Sequence, residues 1–433
     1  MNEHTFSLGI NYWPRRRASA EQLLCSWAEA DTGALRAELE HIAELGFDTV
    51  RLELRWAEAM PGTRVSSAAL RGLERALERA HDRGLRVVVA LLGGELGGAL
   101  HLPEWAVGYR LPSDIQRARR LGPALLVVPD DQPAILAGER YRHEPARDLY
   151  GEPELLEAQR LMLREVIGNF AAHPAIGAWQ LGAGLERVRR PASARAAADW
   201  WASLAGRATS HGARALLGTV SPLSLGRRDT LRPAQIVAAG SQVVVTVAPL
   251  PPLPVALPGD ARGVLLLHAL AAALIRAELG RATPITVADL GVPTTAGGAS
   301  GVVAGELLGR PARLALASAE QQATLLETAL AALHRDGSGG VWLAAYAELA
   351  PALWHVAPAD RSWWARSAGL VAPDGSEKPA AAAVRSFAAR LRAGSLATPV
   401  GPPTLPIDPE RYWRDPAASF RELWTQWFEA EGH

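Results

Sequence analysis

Charged side chains stand at or near the ends of several predicted β-strands, where they could share one site. Asp289 ends a Thr-Val-Ala run, Arg51 lies within a Val-Arg-Leu run, and Glu95 follows an apolar strand. Glu186 comes shortly after a fourth strand. A carboxylate can transfer a proton, bind a hydroxyl or stabilise a cation, whereas an arginine binds anions or pairs with a carboxylate. Which of these side chains meet depends on the elements that carry them.

The order of predicted elements is that of a (β/α)8 barrel. Apolar strands are predicted at 6–12, 49–54, 86–92, 176–181, 215–219, 243–247, 285–289 and 341–345. Helices are predicted at 34–45, 68–83, 153–171, 194–211, 232–239, 263–279, 319–334 and 379–392. Four of them are followed by a glycine suited to a left-handed cap, namely Gly46, Gly84, Gly212 and Gly280. Eight such units in 433 residues favour the α/β class and a single TIM barrel. A doubly wound sheet is the alternative, but no Gly-rich phosphate loop follows the first strand.

Two connections and the tail depart from a minimal barrel. The segments 93–151 and 291–318 are long loops that leave the carboxyl ends of strands three and seven, the face where barrels carry their sites. We expect residues 1–395 to form the barrel and residues 396–433 to form a Pro-rich linker with a short C-terminal helix. Its apolar stripe predicts packing on the outside of the barrel and consists of Phe420, Leu423, Trp424 and Trp427.

Composition excludes several classes of protein. The 45 basic and 45 acidic residues give zero net charge, without the footprint of a nucleic-acid or anionic-membrane binder. Cys25 is the single cysteine, so an internal disulfide and a Cys-based zinc site are excluded. The start of the chain is unlike a signal peptide, and no apolar run reaches the roughly 18–20 residues that span a bilayer. We therefore expect a cytoplasmic protein with no metal and no cofactor, whose oligomeric state stays open.

The strand ends resemble those of a known family. Gly9-Ile10-Asn11-Tyr12-Trp13-Pro14 and Phe47-Asp48-Thr49-Val50-Arg51-Leu52 look like the first two strands of glycoside hydrolase family 5, the cellulase- and mannanase-like barrels of clan A. Leu102-Pro103-Glu104-Trp105 and the segment 369–379 fit as well. The resemblance implies a barrel whose retaining members use two carboxyl groups roughly 5–5.5 Å apart, one as acid/base and one as nucleophile. It also implies that Arg51 lies beside that catalytic pair.

The chain departs from the family where the chemistry should lie. The family's acid/base is the glutamate of a Leu-Gly-Asn-Glu-Pro sequence at the end of the fourth strand, and here Gly184 takes its place in Leu181-Gly182-Ala183-Gly184-Leu185. At the nucleophile position the shorter Asp289 stands for glutamate, and misplacements near 1 Å can cost about 100-fold in rate. The sixth strand reads Thr246-Val247-Ala248-Pro249, and the sugar-stacking tryptophan of the eighth aligns with Ala344. This concerted loss indicates a catalytically degenerate member.

The remaining polar and aromatic residues each have two interpretations. Arg51 is expected to form an ion pair with Asp289, because an unpaired buried charge is costly; a substrate clamp is the alternative. Glu95 and Glu186 could each replace a lost carboxylate, although Glu186 with its neighbouring arginines is more typical of a solvated charge cluster. Substrate-binding candidates at the mouth are Trp13, Glu95, His101, Trp105, Glu186, Trp342 and Tyr346. Packing is the favoured role of Trp200, Trp201, Trp363 and Trp364.

Two functions compete on these grounds. The first is a non-catalytic glycosidase-like barrel that binds a saccharide or a protein partner, for example an active paralogue. The basic cluster Arg15–Arg17 could meet an acidic partner but is more typical of a solvated patch. The second function is an active β-glycoside hydrolase, mannosidase- or glucosidase-like, that uses Asp289 with Glu95 or Glu186. Unrelated chemistry on the same scaffold is a weaker third option.

Overall fold

The structure is a computed structural model that describes residues 6–13, 27–97, 99–108, 134–138, 140–247, 260–295, 298–307, 310–357 and 359–430. The Arg15–Arg17 cluster, Cys25 and the end of the sixth-strand segment, Ala248 and Pro249, lie outside these ranges.

Eight parallel strands close into a barrel in the order β1-β8-β7-β6-β5-β4-β3-β2. They are β1 (Ser7–Tyr12), β2 (Thr49–Leu54), β3 (Arg86–Leu91), β4 (Ile176–Leu181), β5 (Leu216–Val220), β6 (Gln242–Thr246), β7 (Ile285–Leu290) and β8 (Gly340–Leu343). Each coincides with a predicted strand to within one or two residues at its ends. The closed order of parallel strands confirms the predicted (β/α)8 architecture. Continuous apolar strands are typical of such a sheet, because both of its faces are buried.

Eight helices cover the barrel. They are α1 (Thr32–Glu44), α2 (Ser67–His81), α3 (Pro153–Phe170), α4 (Ala194–Ser210), α5 (Pro233–Ala238), α6 (Arg262–Leu279), α7 (Ala319–Arg335) and α8 (Pro379–Arg392). Short helical turns occur at Trp27–Glu29, Trp56–Ala59, Glu104–Ala106, Leu185–Val188, Pro222–Leu225, Pro351–Leu353 and Trp363–Ser367. The four predicted capping glycines all have positive φ, as the left-handed conformation at a helix end requires.

The lower half of the barrel is filled by packed side chains. Trp342 of β8 is 3% exposed and belongs to an interior cluster with Val88 and Val244. Gly9 on β1 faces its indole, and a side chain at that position would overlap the ring. Trp342 therefore fills the barrel below the mouth. Its prediction as a substrate-binding residue is wrong.

The long connections contain structure of their own. Within the third-strand loop, Glu95–Leu96, Ala99–Leu102, Ile135–Ala137 and Arg140–Arg142 form a small four-stranded sheet. After β7, Gly301–Leu307 and Arg310–Leu316 form an antiparallel hairpin. Both regions were predicted only as loops, because their short strands show no regular alternation of apolar residues.

The tail packs on the outside of the barrel. It contains two helices, Pro409–Arg414 and Pro416–Ala430, where the sequence predicted one. Trp424 is buried against Gly263 at the start of α6, and the Trp427 indole N–H donates to the Arg262 carbonyl at 3.1 Å. Among the described residues, no helix is both long and apolar enough to cross a membrane.

Candidate functional site

A cleft of about 550 Å³ opens at the carboxyl ends of the barrel strands. Its lining residues are Asn11, Trp13, Arg51, Glu95, Leu96, Gly97, Ala183, Gly184, Arg187, Thr246, Asp289, Ala344 and Trp364. The structure thus brings together Trp13, Arg51, Glu95, Gly184 and Asp289, five of the residues singled out in the sequence. Strand ends that are far apart along the chain meet here because parallel barrel strands all point to the same face.

Asp289 is turned into the cleft by an irregularity in its strand. The pairing of β7 with β8 shifts register between Val287 and Leu290, and Asp289 has φ of +60°. The Asn11 amide nitrogen donates to Asp289 Oδ1 at 2.6 Å and to the Ala344 carbonyl at 3.1 Å. Both neighbours of this nitrogen are acceptors, which fixes the orientation of the amide. Consequently Asn11 Oδ1, on a side chain only 5% exposed, has no hydrogen-bond partner among the described residues.

Arg51 is paired below the cleft with a residue that the sequence analysis did not consider. Its Nη2 lies 3.4 Å from Glu53 Oε2, and its Nε donates to Gln180 Oε1. The Gln180 amide donates in turn to Thr219 Oγ1 at 2.8 Å. Arg51 and Glu53 lie two positions apart on β2, so their side chains share the inner face. The expected ion pair between Arg51 and Asp289 is wrong, because Glu53 supplies the nearer carboxylate.

Glu53 is a buried carboxyl group near the mouth with a raised pKa. Burial raises its pKa to about 7, against the lowering effect of Arg51, and the negative charges of Glu95 and Asp289 raise it further. Gly93 faces the Glu53 carboxylate, where a side chain would overlap it. The two-residue spacing between Arg51 and Glu53 could have indicated that they form a pair. It was missed because the surrounding apolar residues are typical of an ordinary buried strand.

Gly184 has no room for a side chain. It has φ of +73°, and a Cβ atom would lie 2.7 Å from Glu95 Cβ and 3.2 Å from the Glu95 backbone nitrogen. The neighbouring Gly94 N–H donates to the Ala183 carbonyl at 2.8 Å. The segment that carries Glu95 therefore packs directly on the position that the family resemblance assigns to the acid/base glutamate.

Glu95 is held by an ion pair with Arg187, a residue that sequence reasoning treated only as part of a charge cluster. Arg187 Nη1 lies 3.3 Å from Glu95 Oε2, and the arginine side chain is 3% exposed. Arg187 also lies 3.9 Å from Glu186 Oε1. Arg187 is thus buried and paired, whereas Arg189 and Arg190 of the same predicted cluster are exposed.

Glu186 does not line the cleft. It accepts a 2.8 Å hydrogen bond from the Ser221 hydroxyl and faces a second cavity of about 360 Å³, beside Tyr150, Trp200 and Thr219. The end of β4 separates this cavity from the main cleft, since Gly182 lines one and Gly184 the other. Glu186 as a displaced acid or substrate-binding residue of the mouth is therefore wrong.

Three other predicted substrate-binding residues pack away from the cleft. His101 is buried in the small sheet, where desolvation and then the charge of Arg55 lower its pKa to about 3. The Trp105 indole donates to the Met60 carbonyl at 3.0 Å, which is the loop-packing alternative. The Tyr346 hydroxyl lies 2.8 Å from His41 Nδ1, behind β1. Their assignment to the cleft is corrected accordingly.

Two tryptophans border the cleft. Trp13 was predicted there, whereas Trp364 was expected only to pack. Trp364 lies in the Trp363–Ser367 helix, and its indole Nε1 is buried without a partner among the residues described. No periodicity in the sequence distinguishes this tryptophan from its packed neighbour Trp363. Within the described ranges, no group of three or more His, Cys, Asp or Glu residues could hold a metal ion.

Comparison with known proteins identifies the class of barrel. No family model matches the sequence, and no curated protein matches it. Among solved structures, a GH5_18 protein from Streptomyces cattleya in complex with GlcNAc is 19% identical, with a TM-score of 0.68 over 98% of this chain and 91% of that one. A GH5_18 variant from Bifidobacterium longum subsp. longum in complex with Manβ1-4GlcNAc is 17% identical, with a TM-score of 0.69 over 99% and 89%.

A third structure agrees with these two. An exo-β-1,4-mannosidase from Opitutaceae bacterium strain TAV5 is 18% identical, with a TM-score of 0.63 over 92% of this chain and 61% of that one. The chain therefore has the (β/α)8 fold of these GH5_18 and mannosidase structures, as the motifs at the strand ends predicted. Similarity at this level of identity shows the fold and leaves the chemistry to the site.

Proposed function

We propose that this protein binds a small saccharide in its mouth cleft and does not hydrolyse glycosides by the two-carboxylate mechanism. The observation that carries the proposal is the conformation of Gly184. Its positive φ and its contact with the backbone of Glu95 leave no space for a glutamate at the acid/base position.

The carboxylate that lies nearest to that position is a poor substitute. Glu95 is ion-paired with the buried Arg187, which favours its charged form. An acid catalyst must instead deliver a proton to the leaving oxygen in the first step of glycoside cleavage. Asp289 keeps a negative charge in the cleft, but without a proton donor on the opposite side it can only bind.

The walls of the cleft suit a sugar. Trp13, Trp364 and Asn11 line the cleft. The Trp364 indole N–H and Asn11 Oδ1 are a donor and an acceptor without partners in the described part of the chain. The cleft lies at the carboxyl ends of the barrel strands, the face where barrels of this kind carry their sites. Because two structural neighbours are in complex with GlcNAc and Manβ1-4GlcNAc, we propose a mono- or disaccharide of this kind.

One observation favours the alternative, an active β-glycoside hydrolase. Glu95 and Asp289 line the same cleft, and the charges of both act on Glu53. A rebuilt pair would use these two residues. Glu186 drops out because it faces the second cavity.

The two functions are separated by a panel of β-mannosides, β-glucosides and GlcNAc-containing disaccharides, read by calorimetry and by product release. Binding without release supports the proposal. Release that Asp289→Asn abolishes supports the hydrolase and contradicts the proposal. If neither binding nor release occurs, saccharide binding is wrong and a protein partner becomes the better hypothesis. The exposed Asp199→Asn variant, on α4, controls for a general effect of removing one carboxylate.

A further inference from the structure

The charges of the described residues around the cleft do not balance. Arg51 forms an ion pair with Glu53, and Arg187 forms one with Glu95. Asp289 is the third carboxylate, and among the described residues it forms no ion pair; its hydrogen bond comes from the neutral amide of Asn11. The negative charge of Asp289 is felt nearby, because it contributes to the raised pKa of Glu53.

A second observation at the same place is independent of charge. Asn11 lines the cleft, and its side chain is only 5% exposed. Its Oδ1 accepts no hydrogen bond from the described residues. Since the amide nitrogen of Asn11 is fixed between Asp289 and the Ala344 carbonyl, this oxygen cannot exchange places with it. The floor of the cleft thus presents two neighbouring acceptors, one of them charged.

A protonated amine matches this pair better than a hydroxyl. An ammonium group has three N–H donors and a positive charge, so it can bond to the Asp289 carboxylate and to Asn11 Oδ1 together. A single hydroxyl has one proton to donate and no charge, and it leaves one acceptor unsatisfied. Trp13 and Trp364 line the same cleft, and an aromatic ring attracts a cation more strongly than a neutral group.

We infer that the cleft selects a saccharide that carries a protonated amine, an amino sugar, with the ammonium group between Asp289 and Asn11 Oδ1. This inference rests on the proposed saccharide binding and narrows its ligand class. Asp289 then acts as the counter-ion of the ligand, in a barrel position where the family resemblance implies a nucleophile.

The test compares D-glucosamine and D-mannosamine with D-glucose, D-mannose and GlcNAc, by calorimetry on the full chain at a pH at which the amines are protonated. We expect the amino sugars to bind at least about tenfold more tightly, since a desolvated charged hydrogen bond is worth more than a neutral one. Asp289→Asn should reduce amino-sugar affinity to that of the neutral sugars, whereas Asp199→Asn should change neither. Asparagine tolerates positive φ, and thermal unfolding verifies that the Asp289→Asn variant is folded.

A measurement on the unmodified protein provides a second check. Added salt should weaken amino-sugar binding severalfold and leave neutral-sugar binding unchanged, because salt screens the Coulombic part. Equal affinity for amino and neutral sugars overturns the inference but leaves saccharide binding intact. Failure of every sugar to bind overturns both. Hydrolysis of a glycoside contradicts the non-catalytic function only, and an amine preference observed alongside it still supports the inference.

Discussion

Each side of the cleft contains one carboxylate, and the two carboxylates differ in their partners. On the side of β3 and β4, Glu95 is neutralised by the buried Arg187 and rests on Gly184. On the side of β7 and β1, Asp289 accepts from the neutral amide of Asn11, whose Oδ1 has no partner among the described residues. The first arrangement satisfies its own charges and is structural. The second leaves binding capacity for a ligand, so the comparison locates function on the β7–β1 side.

The largest expected effect comes from breaking the satisfied side. Arg187→Met removes the buried arginine that pairs with Glu95, and removal of one partner of a buried ion pair typically costs about 3–5 kcal/mol in the free energy of unfolding. Urea denaturation measures it. The double variant Glu95→Gln with Arg187→Met should recover much of the loss, because no charge is then unpaired. Asp289→Asn breaks no ion pair with a described residue and should cost less than about 1 kcal/mol. Equal costs for Arg187→Met and Asp289→Asn would contradict the comparison.

A side chain at Gly184 tests whether the acid/base position can be restored. Gly184→Glu should lower the free energy of unfolding by about 2–4 kcal/mol, from the positive φ and from overlap with Glu95. It should produce no hydrolysis of aryl β-mannosides. Gly168→Ala, where an added Cβ meets nothing within 4 Å on helix α3, is the matched control and should be neutral or stabilising. A stable and active Gly184→Glu protein would show that the cleft can accommodate the glutamate and that its absence alone prevents hydrolysis.

The buried carboxyl below the cleft makes stability depend on pH. Burial raises the pKa of Glu53 to about 7 in the folded state, from the ordinary glutamate value of 4.5. Between these two pH values the folded chain therefore binds more protons than the unfolded chain. The free energy of unfolding should therefore fall as pH rises through this window, by on the order of 1–3 kcal/mol for this residue.

Glu58 adds a similar dependence, because burial raises its pKa to about 7 as well. Glu53→Gln should flatten the pH profile of stability by the share of one residue, and Glu58→Gln by a comparable share. Only Glu53→Gln should also change ligand affinity, since Glu53 pairs with the cleft residue Arg51. A profile unchanged by Glu53→Gln would mean that this carboxyl is ionised throughout.

The smallest expected effect concerns the indole of Trp364. Trp364→Phe keeps the aromatic surface and removes the unpartnered Nε1 donor, so saccharide affinity should fall about two- to tenfold. Trp105→Phe is the control, because the Trp105 indole bonds to the Met60 carbonyl outside the cleft, and it should leave affinity unchanged. An equal fall in both variants would indicate a general loss of packing.

Much of the fold could be predicted from the sequence, because its causes are local and periodic. Apolar strands, amphipathic helices and glycines after helices repeat eight times, and this pattern has few compact solutions. The site could be predicted less well. Asp289, Glu95 and Trp13 lie in the cleft because they follow strand ends, whereas Trp342 and Tyr346, also near a strand end, point into the barrel interior and behind β1. A shift of one position along a strand turns a side chain to the opposite face, and sequence spacing alone does not fix that register.

The sequence by itself determined the barrel and the absence of a glutamate at position 184. Those properties depend on residue type and on the order of elements. Only the tertiary structure decided which charges pair. Arg51 joins Glu53 instead of Asp289, Arg187 joins Glu95, and Asp289 keeps its charge for the cleft. The physical reason is that an ion pair forms with the nearest carboxylate in a buried site, and distances of a few ångströms between strand ends are set by packing, not by the linear sequence.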